Sequence, residues 1–176
     1  MENRKIWGRC AALVLLCGVI IGIFTLSSQP YRVQTIQPFL QRTLTVEKAE
    51  KVLPKLDIRY DGKEYRRDVN PFGFIEFLFR KSAHLFVYAV LAVATALVLR
   101  MFRIRTPAVA GLSLLTVWLV AMLDEWNQRF SPARTPTYQD VIVDLTGGML
   151  GLIIGYALSR LFRRLGKVRS RSAWQR

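Results

Sequence analysis

The sequence predicts an all-α integral membrane protein, a bundle of four transmembrane helices with a long outer loop between the first two. Hydrophobic residues make up 52% of the 176-residue chain, and they cluster into four runs. These runs are residues 10–26, 82–99, 107–123 and 141–158. Helices rise by about 1.5 Å per residue, so runs of this length, extended by their flanking turns, span a bilayer core.

The first run also has some features of a cleaved signal peptide, because basic residues precede it and small residues follow it. We favour a retained membrane helix, since the run is longer than the roughly 7–15 apolar residues of a signal peptide. Cys10 and Cys17 lie within it. Membrane packing explains these two thiols better than a disulfide or a metal site does.

Lysine and arginine predict how the helices are oriented. Thirteen of the 26 basic residues, and of the acids only Glu2, lie in residues 1–9, 100–105 and 160–176. These segments fall on one side of a four-helix arrangement, and the positive-inside rule makes that side cytoplasmic. We therefore expect a multi-pass protein with both termini in the cytoplasm. Its net charge of +14 is then a topology signal that also attracts anionic lipid, so we expect membrane lipids and no nucleic acid as partners.

Four regions are predicted along the chain. Residues 1–26 are a cytoplasmic tail and the first helix, 27–80 an extracytoplasmic loop, 81–159 a three-helix core and 160–176 a basic cytoplasmic tail. Within the loop, residues 39–53 have the pattern of a short amphipathic helix, and Asp61-Gly62 indicates a hairpin. The aromatic run 71–79 is either an interfacial segment, which we favour, or an early start of a tilted second helix.

Polar side chains gather at the predicted outer ends of the last three helices. An ionised group costs about 2.5–3.5 kcal/mol at the centre of a membrane helix on insertion scales, so such residues are candidates for a functional site. Spacings of three and four residues place several of them on shared helix faces. The candidates are Lys81, His84 and Tyr88 on the second helix, Asp124, Glu125 and Gln128 on the third, Arg134 in the following turn, and Asp140 and Asp144 on the fourth.

Some of these residues also have structural explanations. Asp140 follows Thr137 by three residues and fits an N-terminal capping box. Lys81 and Arg134 either have a structural role, in which they reach the membrane interface or pair with the acids, or bind a ligand. His84 is the single histidine, and without a second histidine or a suitable cysteine we predict no metal and no cofactor.

A glycine ridge continues the helix face that begins at Asp140. Gly147, Gly151 and Gly155 repeat every four residues. Small residues at this spacing let the backbone of another helix approach closely. We therefore assign these glycines to helix packing.

Four polar motifs occur in a fixed order along the chain. They read Lys81-x-x-His84-x-x-x-Tyr88, Asp124-Glu125-x-x-Gln128, Pro132-x-Arg134 and Asp140-x-x-x-Asp144-x-x-Gly147. In this combination residues 81–155 resemble the VanZ family of small bacterial membrane proteins. Asp144 departs from that family's pattern, which usually has asparagine there, and adds a negative charge. The resemblance implies a protein of the bacterial plasma membrane, linked to resistance to lipid-tailed glycopeptides such as teicoplanin, with no established reaction.

Three functions remain open, and we favour a non-enzymatic protein with an outer-leaflet polar pocket that binds a component of the cell envelope. Lys81 and Arg134 would contact the phosphate or carboxylate of a lipid or glycan precursor, while the acids accept its hydroxyls or amines. The alternatives are an enzyme that uses His84 with Asp124 or Glu125, and a proton- or cation-coupled transporter. No recognised catalytic motif and no inverted repeat supports them. The sequence assigns no oligomeric state.

The predicted orientation can be tested by labelling intact cells with a membrane-impermeant thiol reagent. Single cysteines at Ser28 and Ser131 should react, because both positions lie on the predicted outer side, whereas a cysteine at Ser170 should not. Reaction at Ser170→Cys in intact cells would show that the topology is wrong.

Overall fold

The computed structural model describes residues 2–130 and 137–173. Within them the chain forms seven helices and two short strands. Their order is α1 (Glu2–Ser27), α2 (Tyr31–Gln34), α3 (Gln37–Thr43), α4 (Val46–Val52), β1 (Ile58–Tyr60), β2 (Lys63–Tyr65), α5 (Pro71–Met101), α6 (Thr106–Gln128) and α7 (Tyr138–Ala173).

Four of these helices are long and apolar enough to cross a membrane: α1, α5, α6 and α7. This confirms the predicted all-α membrane bundle. The apolar stretch of α1 is only 11% buried, against 28–33% for the other three. The bundle is therefore a core of α5, α6 and α7, with α1 packed more loosely against it.

The second membrane helix starts earlier than expected. Pro71 occupies the first turn of α5, and the Asn70 side chain caps the helix by accepting a hydrogen bond from the Gly73 amide at 2.9 Å. The aromatic run that follows is continuous with the membrane helix, which agrees with the alternative of an early helix start; its position at the membrane interface stays a prediction. Phe74 and Phe77 are buried against the loop. The folded loop thus covers these two aromatic side chains of the first two turns of α5.

The loop between α1 and α5 is folded rather than extended. Its predicted amphipathic helix is divided into α3 and α4, because Leu44 is extended and ends α3. Leu40 of α3 and Ala49 of α4 are buried together with Phe72 of α5. The interruption thus lets two short helices bury their apolar sides on the same part of α5.

The predicted hairpin is present as β1 and β2, which pair in antiparallel register with Tyr60 opposite Lys63. Asp61 and Gly62 both have positive φ angles, of 49° and 71°. This is the geometry of a type I′ turn, which suits the twist of a two-stranded hairpin. The hairpin carries Tyr60 to the first turn of α7.

Close contact between α5 and α7 involves the glycine ridge. A Cβ atom built on Gly147 would lie 2.8 Å from the Leu85 Cα atom, and one on Gly151 would lie 2.7 Å from the Ala89 Cα atom. These neighbours are backbone atoms, which cannot rotate away as a side chain can. The four-residue steps on both helices also show that α5 and α7 run in the same direction.

Gly151→Ala should destabilise the bundle, because the added methyl group forces the two backbones apart. Overpacking of this kind costs about 1–3 kcal/mol. Gly111→Ala is the matched control, since a Cβ atom there meets no atom within 4 Å and alanine favours helix. In detergent, the melting temperature of purified Gly151→Ala should fall, whereas that of Gly111→Ala should stay the same or rise. Equal melting temperatures would contradict the close contact.

Candidate functional site

The predicted polar residues occupy one end of the bundle, called here the loop end, where residues 28–70 cover α5, α6 and α7. At its top, the Lys81 ammonium donates to the Asp140 carboxylate, and the Tyr60 hydroxyl donates to the same oxygen. The Lys81 Nζ atom also lies 4.3 Å from the centre of the Tyr60 ring. A residue from the hairpin thus completes the contact between α5 and α7.

Asp140 does not form the predicted capping box. That motif would require its carboxylate to accept from the Thr137 amide, whereas this amide donates to the Glu125 carboxylate at 2.9 Å. Burial, followed by the hydrogen bond to Asp140, raises the pKa of Tyr60. Tyr60 therefore remains a hydrogen-bond donor to Asp140 at neutral pH.

One turn deeper, His84 of α5 faces Asp144 of α7. The His84 Nδ1 atom lies 3.0 Å from the Asp144 Oδ1 atom, and Asp144 is fully buried. The histidine ring stacks on Tyr88, with ring centres 6.3 Å apart. Among the described residues, the second Asp144 oxygen has no hydrogen-bond partner. His84 thus pairs with the acid that replaces the family's usual asparagine, and not with Asp124 or Glu125.

The acids of α6 face two different neighbours. Asp124 is buried and accepts from the Gln128 side chain at 3.1 Å, and the same Gln128 nitrogen donates to the Ser27 hydroxyl of α1 at 2.8 Å. Glu125 instead faces the start of α7 through Thr137. The structure therefore brings eight of the nine predicted site residues to the loop end. The ninth, Arg134, lies outside the described residues.

Two cavities open at the loop end. The larger, about 720 Å³, lies between the hairpin and the start of α5 and is lined by Tyr60, Lys81 and Asp140 among others. The smaller, about 320 Å³, lies between α1 and α5 and reaches His84 and Tyr88. Both volumes are typical of ligand pockets, which range over about 300–1,000 Å³.

Glu76 and Arg80 line both cavities, and sequence reasoning missed them. Glu76 is only 2% exposed. One of its oxygens accepts from the Thr35 hydroxyl at 3.0 Å, and the other has no partner within the described part of the chain. The signal was a single carboxylate in the aromatic run 71–79, which was assigned to the membrane interface and therefore not counted among the intramembrane charges.

Comparison with known proteins gave one family match. The family model described as VanZ/LLP1 matches residues 12–162, which contain the loop, all of α5 and α6, and parts of α1 and α7. No curated protein and no solved structure matches the chain.

The contact between Lys81 and Asp140 should couple the two side chains energetically. Lys81→Met and Asp140→Asn should each lower the free energy of unfolding, because each leaves a largely buried polar partner without its counterpart. The double variant should lose less than the sum, with a coupling energy of about 0.5–3 kcal/mol. Reversible unfolding in mixed micelles measures this cycle.

Arg59→Met and Glu64→Gln provide the matched control cycle, because that ion pair is exposed to solvent. Its two substitutions should be additive. Additive effects of the Lys81 and Asp140 substitutions as well would contradict a direct interaction between them.

Proposed function

This chain belongs to the VanZ/LLP1 family, and we propose that it is a non-enzymatic protein of the bacterial plasma membrane that binds a cell-envelope component at its loop end. In this proposal the loop end faces outward and both termini are cytoplasmic, as the basic segments predict. Binding of the envelope component would raise tolerance of lipid-tailed glycopeptides such as teicoplanin.

Glu76 carries the proposal. A buried carboxylate oxygen without a hydrogen-bond partner costs about 1–3 kcal/mol or more, and native proteins keep few of them. Glu76 has such an oxygen, within the described residues, and the residue lines both cavities. A ligand that donates a hydrogen bond to this oxygen would offset the cost of burying it.

The neighbouring groups favour a ligand that carries hydrogen-bond donors. Asp124 and Tyr88 line the smaller cavity, and Asp140 lines the larger one. Lys81 lines the larger cavity too, but its ammonium is already paired with Asp140. Its proposed role is therefore to orient Asp140, and a ligand's negative charge needs another cation.

A second candidate function is an enzyme acting on an envelope lipid. His84 lines the smaller cavity, and its Nδ1 atom pairs with Asp144. A carboxylate that holds one ring nitrogen leaves the other free to exchange a proton with a substrate, as in general acid–base catalysis. Lipidomic comparison of cells with and without the chain separates the two functions. A lipid modified only in its presence would favour the enzyme.

Expression of the chain in a teicoplanin-susceptible bacterium tests the binding function. Tolerance should rise, and Asp124→Asn and Glu125→Gln should each return it to the level of the host, because both alter a buried carboxyl group at the loop end. Asp57→Asn, in the exposed part of the loop, is the matched control and should keep full tolerance. Immunoblots of membrane fractions must show equal amounts of protein. The proposal would be contradicted if cells that contain either site variant, at an equal amount of protein, kept full tolerance of teicoplanin.

A further inference from the structure

The smaller cavity has the shape and lining of a site for a hydrocarbon chain. Ile23 of α1 and Ala83 and Val87 of α5 form its apolar walls. Leu26 and Phe79 also line it, and they are 56% and 61% exposed on the surface of the bundle. In a membrane, an opening between these side chains faces lipid. Since α1 packs loosely on the core, a chain can enter from the side.

Arg80 provides a cation at the polar end of this groove. Its guanidinium lies 5.5 Å from the centre of the Tyr31 ring. Within the described residues it has no carboxylate in salt-bridge distance, in contrast to Lys81. A guanidinium presents several N–H donors in a plane and binds phosphate well. Arg80 is therefore suited to the anionic group of a ligand whose chain occupies the groove.

Glu76 lies one helical turn from Arg80 and adds a second requirement. A phosphate alone would be repelled by this carboxylate, whereas a head group with a hydrogen-bond donor beside its phosphate would satisfy both residues. The free Glu76 oxygen is the acceptor. Tyr31 lies in the same environment, because burial, followed by a hydrogen bond to the Glu76 carboxylate, raises the pKa of Tyr31.

We propose that the loop end binds a phospholipid whose head group carries an N–H or O–H donor beside the phosphate. Arg80 binds the phosphate, Glu76 accepts the hydrogen bond from the head group, and an acyl chain lies in the groove between α1 and α5. This inference rests on the proposed function, since it names the ligand class for the same site.

Phosphatidylethanolamine and phosphatidylcholine with identical acyl chains are the decisive pair of probes. Both carry a phosphate and no net charge, but only the ethanolamine head group has N–H donors. Native mass spectrometry of the full chain in detergent measures the lipid-bound fraction during titration. We expect phosphatidylethanolamine to bind about tenfold more tightly, the effect of one charge-assisted hydrogen bond.

Variants assign each part of the lipid to a residue. Glu76→Gln should reduce the preference for phosphatidylethanolamine. Arg80→Gln should weaken the binding of both lipids about tenfold, and the affinity of Arg80→Lys should lie between those of Arg80→Gln and the unchanged protein. Ala83→Phe should weaken the binding of both lipids, because the larger side chain excludes the acyl chain from the groove. The matched controls lie outside both cavities and should bind like the unchanged protein: Glu47→Gln, Arg100→Gln and Ala110→Phe.

Equal binding of the two lipids by the unchanged protein would overturn the proposal. So would an unchanged affinity in both Arg80 variants and in Ala83→Phe, and this criterion still applies if Glu76→Gln does not fold. The proposal would also be overturned if glycerophosphoethanolamine or inorganic phosphate competed as strongly as the intact lipid, because the acyl chain would then contribute nothing to the affinity. If no lipid binds while the Asp124 and Glu125 variants still lose tolerance, the lipid proposal fails and the binding of another envelope component stands.

Discussion

The close parallel contact between α5 and α7 determines the geometry of the loop end. Because Gly147 and Gly151 lie against the backbone of Leu85 and Ala89, the two helices cannot slide or rotate past each other without a clash. The same contact brings Lys81 level with Asp140, and His84 level with Asp144. Register here comes from steric fit, which is the main source of helix association where lipid removes the hydrophobic driving force.

Several features of the fold could be predicted from the sequence because they depend on local patterns. Apolar run length gave the four helices, and Asp61-Gly62 gave the hairpin. The start of α5 could not be predicted this way. Apolar and aromatic residues suit both a membrane interface and a buried core, and only the folded loop decides that Phe74 is covered by protein. The sequence does not show which residues of the loop pack against Phe74 in the folded protein.

The candidate site shows the same division between local and distant information. Helical spacing was enough to expect the polar residues of α5, α6 and α7 at one end of the bundle. It could not choose the partner of His84, since four acids lie on helices whose rotation the sequence does not fix. Asp144 is the partner because the glycine ridge turns that face of α7 toward α5. Arg80 was missed because an arginine at the end of a loop is ordinarily a solvated residue.

Fold stability alone does not account for the polar groups at the loop end. The glycine contact already sets the register of α5 and α7, so an ion pair is not needed for that purpose, and apolar residues often replace a buried pair without loss of stability. Yet the described part of the chain retains buried oxygens without partners on Glu76 and Asp144. Each lowers the stability of the protein. Glu76 lines both cavities, so a bound molecule that supplies a donor is the simplest physical reason for keeping its unpartnered oxygen.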